Sequence, residues 1–402
     1  MPHPARTATG GKSRCGWSGG FLTTAVSGYT EVGDFERCLQ LWGTELWDDD
    51  LVVTLFALAG YYTLRADLRR AAQVLESLRA GAGEGPPWLR PVIDGGFGVV
   101  AWLRGEFDAA GSYLEQATRG LASADLHEID AVWIQPDEPV ASVHVYLALV
   151  RLVRGDFSGA ETELAQAARR ADELGFPQGP YVRAMACYVE IWLRIEGGQL
   201  DRAAVLAANL IDEGERRDLD VFRLLGGTQQ AAVSAVSALA ALGAEDPDPT
   251  ALSNHVATMR TFVETFRMVG LNVYAAFHDG VVARLLTAAG QPEQARAHLD
   301  TALQLARDTG VRYYDAELLR LRAHTQVDPD ARRADIRAAL QLARRQGAPL
   351  FELRAALDDV ELCDQAARGA LIDSVGRMPA DSGSPELARA RTILGLTDPA
   401  IG

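Results

Sequence analysis

A short signature recurs along this chain: an apolar helix-like stretch closes on a glycine or alanine, a polar or acidic residue follows, and an alanine-rich stretch begins. It occurs as Gly33-Asp34-Phe35, Ala66-Asp67-Leu68, Gly105-Glu106-Phe107, Gly155-Asp156-Phe157, Gly198-Gln199-Leu200 and Gly290-Gln291-Pro292. Neighbouring copies lie about 33 to 50 residues apart, with one double gap in which Gly243 to Pro249 hides a further turn. That period belongs to stacked helix-turn-helix units. Glycine tolerates the left-handed end of the first helix. An aspartate can cap the second helix, and Pro292 suits a first turn that needs no N–H.

The stretches after these turns share one apolar stripe. Ala160, Leu164, Ala167, Ala168, Ala171 and Leu174 step at helical spacing, as do Ala295, Leu299, Ala302, Leu303 and Ala306. The stripe is built of small residues, so backbones can approach closely. Second helices stop at Gly175, Gly270, Gly310 and Gly347, with Pro177 and Pro349 soon after. Alternating strand patterns are absent.

These features predict an all-α, tetratricopeptide-like (TPR-like) solenoid, a right-handed superhelix of about eight antiparallel helix pairs. The pairs fall near 21–47, 50–80, 88–122, 139–175, 179–217, 222–269, 270–309 and 311–346, with a final helix over 349–366. The segment 122–139 reads as an ordered loop or a short extra helix. Three regions result: a disordered tail at 1–20, a repeat array at 21–366, and a helical cap and tail at 367–402.

Composition narrows the function. The 402 residues are 48% hydrophobic and carry a formal net charge of −15. An acidic chain without a basic run repels phosphate backbones and anionic lipid, which argues against nucleic-acid and membrane partners. No apolar run reaches the roughly 20 residues of a membrane span. Cys15, Cys38, Cys187 and Cys363 are scattered and form no CxxC pair, as expected of reduced thiols in the cytoplasm.

Between about Trp133 and Glu361 three stretches carry a more specific likeness. The first is Asp137-Glu138-Pro139-Val140 leading to Tyr146-Leu147-Ala148 and Gly155. The second is Ala289-Gly290-Gln291-Pro292-Glu293-Gln294-Ala295 through Ala302-Leu303. The third runs from Tyr314-Asp315-Ala316-Glu317 through Leu321-Arg322, completed by Ala343-Arg344-Arg345-Gln346-Gly347 and Glu352-Leu353-Arg354-Ala355-Ala356. The chain resembles the C-terminal TPR region of bacterial signalling proteins in which a class III adenylate or guanylate cyclase domain, or a transcription-factor domain, precedes a STAND-type P-loop ATPase. The resemblance implies a regulatory or sensor module, standalone or detached from such a protein, because neither the cyclase nor the ATPase domain is present in this sequence.

Catalytic and metal motifs are incomplete. Gly10-Gly11-Lys12-Ser13 has Arg6 where a phosphate loop needs glycine, and no apolar strand precedes it. His127-Glu128-Ile129-Asp130 is not the two-histidine zinc face, and His144 and His278 have no carboxylate at a convincing offset. A non-enzymatic chain without metal or cofactor is expected. The repeat register instead turns Trp102, Val145, Leu149, Tyr188, Trp192, Phe277, Arg284, Tyr314 and Glu317 toward a concave groove, where aromatic faces suit a protein or peptide partner or a small-molecule effector. The same positions would serve as internal packing in a tightly wound superhelix. Arg320, Arg322 and Arg354 are expected to pair with Glu317, Glu352 or Asp358.

Overall fold

A computed structural model describes residues 49–133, 135–242, 249–363 and 367–396. The tail, the Gly10–Ser13 run, Cys15, Cys38, the helix pair expected at 21–47 with its Gly33 turn, and residues 243–248 lie outside the described residues. Within them the chain forms eighteen α-helices and no strand.

Seven helix pairs follow one another: α1 (Asp49–Leu64) with α2 (Leu68–Gly81), α3 (Leu89–Leu103) with α4 (Phe107–Leu121), and, after the short α5 (Leu126–Val132), α6 (Pro139–Val153) with α7 (Phe157–Glu173). Next come α8 (Gln178–Glu196) with α9 (Leu200–Arg216), α10 (Asp220–Ala241) with α11 (Pro249–Val269), α12 (Ala275–Ala288) with α13 (Pro292–Thr309), and α14 (Asp315–Ala323) with α15 (Pro329–Gln346). The single helices α16 (Pro349–Asp358), α17 (Arg368–Arg377) and α18 (Pro385–Leu394) complete the chain. Apart from the short α5, which packs on α1 while α4 packs directly on α6, each helix packs on its successor, so the fold is an all-α solenoid.

The recurring turn has one backbone solution. Gly105, Gly155, Gly198 and Gly290 all lie at φ between 70° and 78°. The residue after each donates to the carbonyl five positions back: Glu106 to Ala101, Asp156 to Arg151, Gln199 to Arg194 and Gln291 to Leu286. This is the Schellman closure of a helix end. Ala66 adopts the same conformation, at φ 65°, despite its methyl group. Asp67 and Asp156 cap the following helices by accepting from the amides of Arg70 and Gly159. Gly270, Gly310 and Gly347 end second helices in the left-handed region, whereas α7 ends through an extended Leu174.

Burial divides the helices by kind. Second helices bury one stripe, such as Ala295, Leu299, Ala302, Leu303 and Ala306, and leave their other faces in water. First helices lie between the second helices and the superhelix axis, and α8 buries residues on nearly every face. Each fully buried leucine contributes about 1.5–3 kcal/mol.

The superhelix winds tightly enough for successive coils to touch. The carbonyl of Leu103 accepts from the amides of both Arg312 and Tyr313, at 2.7 and 3.2 Å. Gln346 Nε2 donates to the carbonyl of Arg312 at 2.9 Å, and Asn272 Nδ2 donates to that of Arg65 at 3.3 Å. Further along, α16 packs against α6. The helices α17 and α18 fold back on α16: Arg377 binds Glu352, and Glu386 binds Arg354 at 2.7 Å.

Candidate functional site

The tight winding determines the fate of the inner face. Trp102, Val145, Leu149, Tyr188, Trp192, Phe277, Tyr314 and Glu317 all sit on it, and all are at most 6% exposed. The open groove expected at these positions is therefore corrected: side chains from opposite sides of the superhelix meet across the axis and fill it. Only Arg284 among the nine is exposed to water.

The filling is an aromatic wall. Trp102 from α3 stacks on Tyr313, which precedes α14, with ring centroids 4.4 Å apart. Trp192 from α8 meets Trp102 at 6.1 Å, Phe277 at 5.2 Å and Tyr314 at 6.2 Å. Tyr188 meets Tyr274 at 5.3 Å, and Tyr314 meets Phe351 at 5.7 Å. Two polar ends are satisfied at once: Tyr313 Oη donates to the carbonyl of Val273, and Trp192 Nε1 to Glu196 Oε1 at 2.8 Å. Tyr313 is central here and was not singled out by the sequence, although its doublet with Tyr314 at a helix entry was visible.

Two cavities flank this wall. The first, of about 150 Å³, is lined by α1, α3, α6 and α8 and by Tyr274. Its surface is largely apolar, from Phe56, Leu75, Val92, Val143, Val145 and Met185, with Gly95 and Gly96 on the α3 side. The polar exceptions converge: Tyr146, Tyr181 and Tyr274 line it together with Asp137. Burial pushes all three phenols well above their usual range, and the Asp137 carboxylate adds to the effect on each. They are accordingly neutral hydroxyls at any physiological pH. Water reaches the half-buried Phe56, Gly60, Tyr146, Tyr181 and Met185.

The second cavity, of about 600 Å³, is lined by α8, α10, α12, α14, α16 and α18. Its polar side is a network built from α8, α14, α16 and α18. Arg354 binds Glu196 at 2.6 Å, Glu317 at 3.3 Å and Glu386 at 2.7 Å. Arg320 binds Glu317 at 3.0 Å and Asp358 at 2.8 Å, and His324 Nε2 lies 2.6 Å from Asp358. Burial alone would raise the Asp358 carboxyl, but Arg320 and His324 outweigh it and hold it down at about 2. Burial likewise disfavours the Arg354 cation, and its three glutamates more than offset that.

The remaining sequence candidates resolve into structure. Arg320 and Arg354 find the expected Glu317 and Asp358, and Arg354 adds Glu196 and Glu386 from distant repeats. Arg322 binds Asp300 and Asp335 rather than the expected set, and Glu352 is held by Arg344 and Arg377. His144 corrects its expectation: its Nδ1 lies 2.7 Å from Glu163 on the next helix. His278 is fully buried, lies with Nδ1 2.8 Å from the carbonyl of Tyr274, and is pushed down to about 4 by that burial. In the His127–Asp130 run, Asp130 pairs with the buried Arg170 that also holds Glu138. Among the described residues no group of three or more His, Cys, Asp or Glu is placed to hold a metal, and no helix is long and apolar enough to cross a membrane.

No protein-family model matches this sequence, and no curated protein matches it at a significant level.

Proposed function

We propose that the chain is a non-catalytic regulatory module of a cytoplasmic signalling or transcription-regulating system, and that it senses a small, mostly apolar molecule in the tyrosine-rimmed cavity. The carrying observation is the enclosure of the inner aromatics. An extended peptide needs exposed anchors along a groove, whereas here the expected groove aromatics are buried against one another, and the cavity beside them, lined by Phe56, Trp133 and three tyrosines, has a few convergent polar groups, which suits a small ligand. A volume of about 150 Å³ accommodates roughly one aromatic ring. The neutral hydroxyls of Tyr146, Tyr181 and Tyr274 can donate to or accept from one polar substituent on it. The likeness to TPR regions that follow ATPase domains supports a regulatory role.

The test uses 4-methylphenol, one ring with one hydroxyl, titrated into the full chain while thermal unfolding is followed. Binding should raise the melting temperature, by the equivalent of about 2.7 kcal/mol at a hundredfold excess over Kd. Ser142 is half-buried and lines the cavity. Ser142→Phe should occupy the space and abolish the response while the helical circular-dichroism signal is retained. An unchanged response in that variant would sink the proposal.

A further inference from the structure

We infer that the charged cavity is a second, separate site, where Arg284 receives the carboxylate or phosphate of a small organic anion whose apolar part lies against Val236, Leu239 and Phe277. The argument starts from pairing. Of the arginines lining this cavity, Arg320 and Arg354 are held by buried carboxylates, and Arg389 binds Glu361 at the rim. Arg284, on α12, makes neither a hydrogen bond nor an ion pair with any of the described residues.

The reason it stays free is visible in its neighbours. Glu196 spends one oxygen on the indole of Trp192 and the other on Arg354. Glu317 gives Oε1 to Arg320 and shares Oε2 between Arg320 and Arg354. Asp358 Oδ2 is shared by Arg320 and His324. Glu196 and Glu317 therefore have no oxygen without a partner to turn toward Arg284. Arg284 lines the cavity and is exposed to water. Enclosure by the walls and the positive fields of Arg320 and Arg354 lower its pKa, while Tyr314 and Glu196 offset them only in part.

A guanidinium so placed lacks its best partner. Its planar fork matches a carboxylate or phosphate with two parallel hydrogen bonds. The engaged carboxylates beyond it disfavour a ligand with many negative charges, which limits the occupant to one or two. The same cavity offers Val236, Leu239 and Phe277 to an apolar body. At about 600 Å³ the cavity falls within the range of small-molecule sites. Its occupancy is independent of the tyrosine-rimmed cavity, so either site can fail without the other.

Benzoate and phenyl phosphate, titrated calorimetrically into the full chain in a low-salt buffer free of other carboxylates and phosphates, distinguish the two headgroups. Binding of either supports the site and names its preferred anion. Arg284→Met should weaken that binding at least tenfold, Arg284→Lys less, and Ser142→Phe not at all. Without ligand, Arg284→Met should melt at or above the wild-type temperature, since it removes a charge that lacks a partner. The inference is overturned if neither anion binds, if Arg284→Met binds as wild type does, or if that variant melts several degrees lower.

Discussion

The two cavities lie on one axis and are divided by one aromatic wall, yet they are built in opposite ways. The first is lined mainly by helices from the early repeats and is largely apolar, its polar groups being three phenols, Asp137, Thr63 and Ser142. The second is lined by later repeats and the C-terminal cap and is dense with arginine and carboxylate. Volume alone does not separate a ligand site from packing. In the first, Gly95 and Gly96 let Val143 and Leu75 pack directly on the α3 backbone, where a methyl would lie 2.8 and 2.7 Å from them. In the second, space persists because paired ions stay at the walls, where water and the pairs satisfy one another. The difference teaches that one solenoid can offer an apolar and an ionic compartment merely by changing which residues its first helices turn inward.

The most damaging way to break the comparison is to remove the partition. Trp192→Ala and Tyr188→Ala should each cost about 3–5 kcal/mol, because both side chains are buried among rings rather than displayed. With total stabilities commonly about 5–15 kcal/mol, the double variant should lose most of its cooperative thermal transition. Retention of a near-native melting temperature would show that the wall is a recognition surface after all.

Acid sharpens the contrast at the ionic end. The folded-state pKa of Asp358 is depressed to about 2, below an ordinary carboxylate near 3.9. Its contribution is therefore complete above about pH 4 and is lost as pH falls through about 2. Wild type should exceed Asp358→Asn by about 2 kcal/mol at pH 7, and the gap should close between about pH 4 and pH 2. The check is denaturant unfolding of both proteins across that range. A pH-independent gap would mean that Arg320 and His324 do not hold the charge as described.

The smallest effect separates a plain turn from one pressed between coils. A methyl at Gly290 meets nothing within 4 Å, so Gly290→Ala bears only the left-handed backbone penalty, about 1 kcal/mol. The same change at Gly105 would bring a methyl within 2.1 Å of Gln346 Nε2 and 3.1 Å of the Arg312 carbonyl. Gly105→Ala should cost roughly twice as much or more. Equal losses, measured by chemical unfolding, would deny that the coils press on one another there.

The turns and the paired helices from 50 to 346 were legible because each is set by local periodicity or by one backbone conformation, and the segment 122–139, which reads as a loop or a short extra helix, holds the short α5. The closure of the groove was not legible. It depends on the pitch of the superhelix, a sum of small rotations that no single repeat records. For the same reason Glu196 and Glu386 were missed as partners of Arg354, lying 158 and 32 residues from it in the chain. The tyrosine rim was half visible: Tyr146 and Tyr181 recur on first helices with Phe56, but nothing local says that they converge. Arg284 was recognisable as inward-facing, while its lack of a partner follows from how its neighbours spend their oxygens.

The contacts between coils change what sort of mechanical object this is. A repeat protein whose units touch only their neighbours behaves as a spring, stretching by small increments and fraying from its ends. Here Leu103 is tied to Arg312 and Tyr313, and Arg65 to Asn272, across 207 residues in the last case. Such ties shorten the spring to a latch: its pitch cannot drift without breaking them together.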